Sequence, residues 1–199
     1  AAEAGADYSL SVTPYYNKPT QQGLFEHFQA VARSVNLPII LYNVPGRTGC
    51  DLLNDTVVKL SQIDNIVAIK DATGDVERGA ALIEAVPDGF AVFSGDDVTA
   101  LELMRRGGQG NVSVTANIAA RDMAAMCNLA LAGEWYAAAE VDARLSDLND
   151  LLFVEANPIP VKWAMAQRGM MGDGIRLPLT PLSEPCRGDL ERALETYFA

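Results

Sequence analysis

The sequence predicts an α/β protein built on a parallel sheet, followed by a region made of helices alone. Three observations carry that expectation. Five short apolar, β-branched or aromatic runs, residues 7–16, 38–45, 66–72, 90–97 and 110–117, each stop at polar or Gly/Pro residues, and successive runs start about 20 to 30 residues apart. The intervals between them place apolar side chains at helical spacing, and repeated strand and helix units of this size imply parallel pairing. After Asn117 the pattern is helical throughout.

In chain order, the opening Ala1-Ala2-Glu3-Ala4-Gly5-Ala6-Asp7 has neither an initiator methionine nor a signal pattern. It reads as the end of a helix feeding a strand, with an upstream part expected before it. Residues 21–35 put Leu24, Phe25, Phe28, Val31 and Ala32 on one face, and residues 53–61 and 99–106 are amphipathic in the same way. Alternation in Ile39-Ile40-Leu41-Tyr42 sends Tyr42 to the face opposite Leu41. Ile66-Val67-Ala68-Ile69 is continuous, as in a strand buried on both faces, and Lys70 is expected to project from its C-terminal end. Gly107-Gly108-Gln109-Gly110 precedes a run rather than lying between strand and helix, so it reads as a helix stop and turn. No strand is followed by a glycine-rich phosphate fingerprint, which counts against a nucleotide-binding sheet. A closed (β/α)8 barrel and an open doubly wound sheet both accommodate this order. Beyond it, residues 121–131, 134–153, 161–167 and 188–197 read as helices separated by prolines, with a domain boundary near Gly133. Trp163, Met165, Met170 and Met171 read as core or subunit interface rather than a cofactor pocket.

Composition narrows the function classes. A chain of 199 residues, 49% hydrophobic and 21% charged, is a globular protein with a sizeable core. Its formal charge of −11 argues against nucleic acid or an anionic membrane surface as partner. No apolar run approaches the ~18 residues that a membrane span needs. Cys50, Cys127 and Cys186 are widely spaced and odd in number, which fits a reducing cytoplasm better than a disulfide framework. His27 is the only histidine, on an expected helix, and no metal site is expected.

In a parallel sheet the C-terminal strand ends form the working face, and here they carry Tyr15, Tyr16, Tyr42, Lys70, the Ser94-Gly95-Asp96-Asp97 run and Thr115. Burial of Lys70 would lower its pKa and expose a neutral amine able to attack a carbonyl. The alternative is a strand-end lysine paired to an acid such as Asp71. Tyr42 is either a proton shuttle near an imine or a core tyrosine with its hydroxyl tied to backbone. Arg47, in a turn beyond that strand end, is either a carboxylate clamp or a solvated loop arginine. The paired aromatics Tyr15 and Tyr16 are typical of an interface.

Ser11-Val12-Thr13-Pro14-Tyr15-Tyr16-Asn17-Lys18-Pro19, Leu41-Tyr42-Asn43-Val44-Pro45-Gly46-Arg47-Thr48-Gly49 and Ala68-Ile69-Lys70-Asp71-Ala72-Thr73-Gly74 resemble the dihydrodipicolinate synthase (4-hydroxy-tetrahydrodipicolinate synthase) family. So do Ser94-Gly95-Asp96-Asp97, Val112-Ser113-Val114-Thr115-Ala116-Asn117, Asn157-Pro158-Ile159-Pro160-Val161-Lys162 and Arg176-Leu177-Pro178-Leu179-Thr180-Pro181. The resemblance runs essentially from Ala1 to Ala199 in the family's order.

It implies a (β/α)8 TIM barrel followed by a helical domain, with residues 1–133 supplying strands 4 to 8 and residues 134–199 the helices. It implies a cytoplasmic lyase that condenses pyruvate with L-aspartate 4-semialdehyde in lysine (diaminopimelate) biosynthesis, with no cofactor beyond the covalent imine. The expected assembly is a homotetramer built as a dimer of dimers. Position by position, Lys70 matches the imine-forming lysine, Tyr42 the proton-relay tyrosine and Tyr16 the tyrosine that completes the relay in a neighbouring subunit. Arg47 matches the arginine that binds the semialdehyde carboxylate. Gly95 and Val112 match positions whose backbone lines the pyruvate pocket, and Tyr15 matches an interface residue that also contacts inhibitory lysine.

Gly46, Asp71 and Ala156 stand where serine, glutamate and proline are commoner in the family. The resemblance also implies about three strand-and-helix units ahead of Ala1, including a threonine pair that holds pyruvate. The competing readings are a pyruvate lyase of the N-acetylneuraminate type, against which Arg47-Thr48-Gly49 counts, and a catalytically inert fragment of a barrel.

Overall fold

A computed structural model describes residues 1–199, which divide into two compact units, Ala1–Val112 and Ser113–Ala199. In the first unit a single turn of 3-10 helix, Ala2–Ala4, stops at Gly5 in the left-handed conformation (φ 81°). Four strands then form one parallel sheet in sequential order: β1 (Ser9–Val12), β2 (Ile39–Asn43), β3 (Ile66–Asp71) and β4 (Ala91–Ser94). Between them lie α1 (Gln21–Ser34), the short α2 (Pro45–Thr48), α3 (Asn54–Leu60) and α4 (Val76–Ala85), with α5 (Ala100–Arg105) after β4.

Side-chain chemistry fixes the helix starts. The Thr20 hydroxyl accepts the Gly23 N–H at 3.1 Å to cap α1, and the Asp75 carboxylate accepts the Arg78 N–H at 3.0 Å to cap α4. Leu24, Phe28 and Ala32 repeat at helical spacing and turn one side of α1 onto the sheet. There they join Ile39, Leu41, Ile66, Ile69, Val92, Val57, Leu60 and Leu82 in one core.

Strand register decides which side chains share the other face. Tyr42 pairs with Val12 on one side and Lys70 on the other, and Lys70 pairs in turn with Phe93. Between β2 and β3 the register shifts by one residue: Ile39 pairs with Ile66 but Ile40 with Ala68, leaving Val67 as a bulge. This is why Ile66 and Ile69, of opposite parity, lie in the same core. Unlike the helix-packed face, the face bearing Lys70 carries no helix in the core cluster, and Leu10 and Val12 at the β1 edge are 48% and 40% exposed.

The fifth expected strand is absent as a strand. Residues 110–112 form a single bridge, Ser94 to Asn111, held by Ser94 N–H to the Gly110 carbonyl (2.9 Å) and Val112 N–H to the Ser94 carbonyl (2.8 Å). The glycines that precede it offer no side chains to pack, and the next turn of chain is already helical: the Ser113 hydroxyl accepts the Ala116 N–H at 2.8 Å. Asn117, expected at a strand end, therefore lies in the first turn of α6 (Ala116–Leu131).

The second unit consists of α6, α7 (Trp135–Leu151), α8 (Ile159–Gln167) and α9 (Glu184–Phe198). Helix α6 packs along α7 and against α8, and α9 packs against α7 and α8. Met123, Met126, Ala138, Leu145, Leu148, Ala164 and Leu190 fill its interior. The Trp163 and methionine group is not core: Met170 is exposed and Trp163, Met165 and Met171 are half-buried. No helix is long and apolar enough to cross a membrane.

Candidate active site

Because the strands are parallel, Tyr42, Lys70 and the loop that follows β1 lie at one end of the sheet. Tyr42 and Lys70 are register partners on the same face, and the Lys70 Nζ stands 4.4 Å from the centroid of the Tyr42 ring. Burial lowers the Lys70 pKa, Asp97 opposes that shift and the Arg47 charge adds to it. Asp71 is not its partner. That carboxyl is buried on the opposite side of the strand, where Oδ2 accepts the Thr73 hydroxyl at 2.9 Å and burial pushes its pKa upward. The arrangement thus gives an amine with a raised neutral fraction beside a polarisable ring.

The Tyr42 pKa is raised, chiefly by burial, with the Arg47 charge acting against it. Its hydroxyl therefore stays protonated at neutral pH and is available first as a donor. Arg47 lies on α2, an exposed single turn whose end is set by Gly49 in the left-handed conformation (φ 63°), with the Gly49 N–H bonded to the Pro45 carbonyl. Arg47 and Tyr42 line one open cleft of about 500 Å³ together with Leu10, Val12, Tyr15, Val44 and Thr48.

Gly95 follows β4, and its N–H donates to the Asp71 carbonyl at 2.8 Å. A Cβ there would stand 2.7 Å from Lys70 Cε, 2.9 Å from Lys70 Cγ and 2.8 Å from the Ala72 Cβ. Only hydrogen at this position leaves the lysine its place. Gly95→Ala is expected to cost about 1 to 3 kcal/mol by overpacking and to push the Lys70 side chain from its place beside Tyr42. Denaturant unfolding measures the cost, and unchanged stability would show that the Lys70 and Ala72 side chains yield to the added methyl without strain.

Not every expected residue joins this group. Tyr16 is 92% exposed in the left-handed conformation (φ 65°), lining an adjoining cleft with Thr13, Pro14, Asn17 and His27 that shares only Val12 and Tyr15 with the cleft of Tyr42 and Arg47. Val112 is exposed and reaches the group only through its backbone bond to Ser94. Asp97 gains a role that the sequence signals only through the acidic pair after Gly95. It is buried, accepts the Asn111 amide at 2.7 Å and is the charge that acts most strongly on Lys70.

Residues 1–197 match the model of the Dihydrodipicolinate synthetase family. The 4-hydroxy-tetrahydrodipicolinate synthase of Marinobacter nauticus is 58% identical over 196 residues, covering 98% of this chain and 67% of the relative. That of Pseudomonas syringae pv. syringae is 55% identical over 194 residues, covering 98% of this chain and 66% of the relative. Among solved structures, the chloride-inhibited dihydrodipicolinate synthase from Acinetobacter baumannii complexed with pyruvate superposes with a TM-score of 0.97 at 56% identity. It is matched over 99% of this chain and 68% of that one. The chain thus spans about two thirds of the length of the relatives it matches.

Proposed function

Because the chain belongs to the dihydrodipicolinate synthetase family, we propose that it condenses pyruvate with L-aspartate 4-semialdehyde to 4-hydroxy-tetrahydrodipicolinate through an imine on Lys70. The observation that carries this reading is the Lys70 amine, its pKa lowered by burial, set 4.4 Å from the Tyr42 ring. The neutral amine attacks the pyruvate ketone and water leaves, forming the imine. Loss of a methyl proton gives the enamine, whose carbon adds to the aldehyde. The amino group of the second substrate then displaces Lys70, closing the ring and regenerating the free lysine. Tyr42 serves these steps as proton donor and acceptor. Curated relatives of the same name support the synthase over an N-acetylneuraminate-type lyase.

In this reading the four-stranded sheet is part of a (β/α)8 barrel whose interior holds Lys70. The backbone at Gly95 and Val112 lines the pyruvate pocket, and the exposed Tyr15 and Tyr16 meet a second subunit of a homotetramer in the cytoplasm. Tyr16 then completes the proton relay of the neighbouring site.

Arg47 binds the carboxylate of the semialdehyde. Arg47→Ala is expected to cost about 1.5 to 3 kcal/mol in use of the aldehyde, the scale of one charge-assisted contact, with use of pyruvate changed far less. Steady-state kinetics with each substrate varied in turn decides it: equal losses for both substrates would refute the assignment.

A further inference from the structure

Arg47 lies on a segment that leaves the end of β2 and returns beside its own starting point. Asn43, the last residue of β2 and fully buried, closes it. Its Nδ2 donates to Asp51 Oδ1 at 2.8 Å and its Oδ1 accepts the Leu52 N–H at 3.0 Å. Asp51 is then gripped by both arms of a guanidinium, Arg78 Nη1 to Oδ2 at 2.7 Å and Nη2 to Oδ1 at 2.9 Å. The same Nη2 also donates to the Leu52 carbonyl at 2.7 Å. Arg78 stands in the first turn of α4, the helix that follows β3. From α1, Gln21 Nε2 donates to the Asp51 carbonyl at 2.7 Å, while its Oε1 accepts the Thr56 hydroxyl at 2.7 Å.

This fastening touches none of the site residues. Asn43 follows Tyr42 directly and by alternation faces the helix side of the sheet, away from Lys70. It nonetheless ties the exposed turn that carries Arg47 to β2, α1 and α4 at once. A guanidinium on an untethered loop would lose conformational freedom on each binding event, whereas a fixed loop has lost it already. We propose that Asp51, through the Asn43 amide and the two-pronged grip of Arg78, is a positioning residue that holds the 44–51 segment so that Arg47 meets the second substrate. The inference rests on the assignment of Arg47 to the carboxylate of the aldehyde substrate.

The test is a double-mutant cycle in the native protein, with Asp51→Asn and Arg47→Ala made singly and together and KM measured for each substrate. Asp51→Asn should raise KM for the aldehyde about 10- to 100-fold, the range seen when a supporting contact is lost, and move KM for pyruvate much less. In the Arg47→Ala background the same substitution should add little, because both act through one contact. Full additivity, or equal changes for both substrates that track a lowered Tm, would overturn the proposal. Hydrogen exchange separates this failure from failure of the Arg47 assignment. Amides of residues 44–50 should exchange faster in Asp51→Asn whether or not Arg47 binds the aldehyde, and unchanged exchange there would overturn the positioning role by itself. Should Asp51→Asn not fold, Arg78→Lys, which keeps the charge but loses the fork, is put through the same measurements.

Discussion

Lys70→Ala is expected to abolish condensation, lowering kcat by about 10^5 or more, the scale set by loss of a held covalent nucleophile. The wild-type protein incubated with pyruvate and a hydride reductant should carry one adduct on Lys70 and none on Lys18, Lys59 or Lys162. Lys18 and Lys59 are exposed and Lys162 lies on α8 in the second unit, whereas Lys70 stands beside Tyr42. Burial lowers the Lys70 pKa, so its neutral form appears at lower pH and the adduct rate should climb and level off earlier than for an exposed amine. The neighbouring Asp97 charge limits that shift by favouring the ammonium. The sign for stability follows: the unfolded chain binds the Lys70 proton more tightly, so this group's contribution rises with pH from the lowered folded pKa up to the ordinary lysine value of the unfolded chain. Peptide mass mapping decides the matter, and an adduct on any other lysine would remove Lys70 from its role.

Tyr42→Phe should leave pyruvate binding nearly intact while lowering kcat about 10^2- to 10^4-fold, the range for loss of a positioned acid–base group. The ring and its contact with Lys70 remain, so the substitution isolates the hydroxyl. Because burial raises the Tyr42 pKa, the deprotonated form is scarce at neutral pH, and the hydroxyl must donate before it can accept. Presteady-state measurement separates imine formation from the later steps. A variant with unchanged kcat would leave the relay to another residue.

Local chemistry made the strands and the Lys70 site legible, and pairing at a distance hid the rest. The runs at 38–45 and 66–72 could be placed because a strand of Ile, Val and Leu has few alternatives, and β2 and β3 lie within them. Residues 110–117 carry only two valines among small and polar residues, and a strand exists only if a partner takes its hydrogen bonds; here β4 takes them at one bridge. Pro45-Gly46-Arg47-Thr48 reads as a turn. Its helical form depends on Gly49 closing it and on Thr48 Oγ1 lying 3.1 Å from the Val44 carbonyl. The grip of Arg78 on Asp51 joins residues 27 apart in sequence, and no spacing rule announces it. Adjacency in sequence suggests Asp71 as a partner for Lys70, yet adjacency in a strand places side chains on opposite faces.

The bulge at Val67 gives the Lys70 strand one residue of slack. It lies on the Lys70 strand, upstream of the lysine, and from Ala68 onward it decides which residues of that strand stand opposite those of β2. Losing one residue between Ile66 and Lys70 would turn the bulge into a regular ladder and, with Ile66 held opposite Ile39, would leave the lysine opposite Tyr42. Substitutions that keep an apolar side chain leave that count untouched. Gaining a residue there would demand a second unpaired position, so the stretch between Ile66 and Lys70 absorbs a loss more readily than a gain.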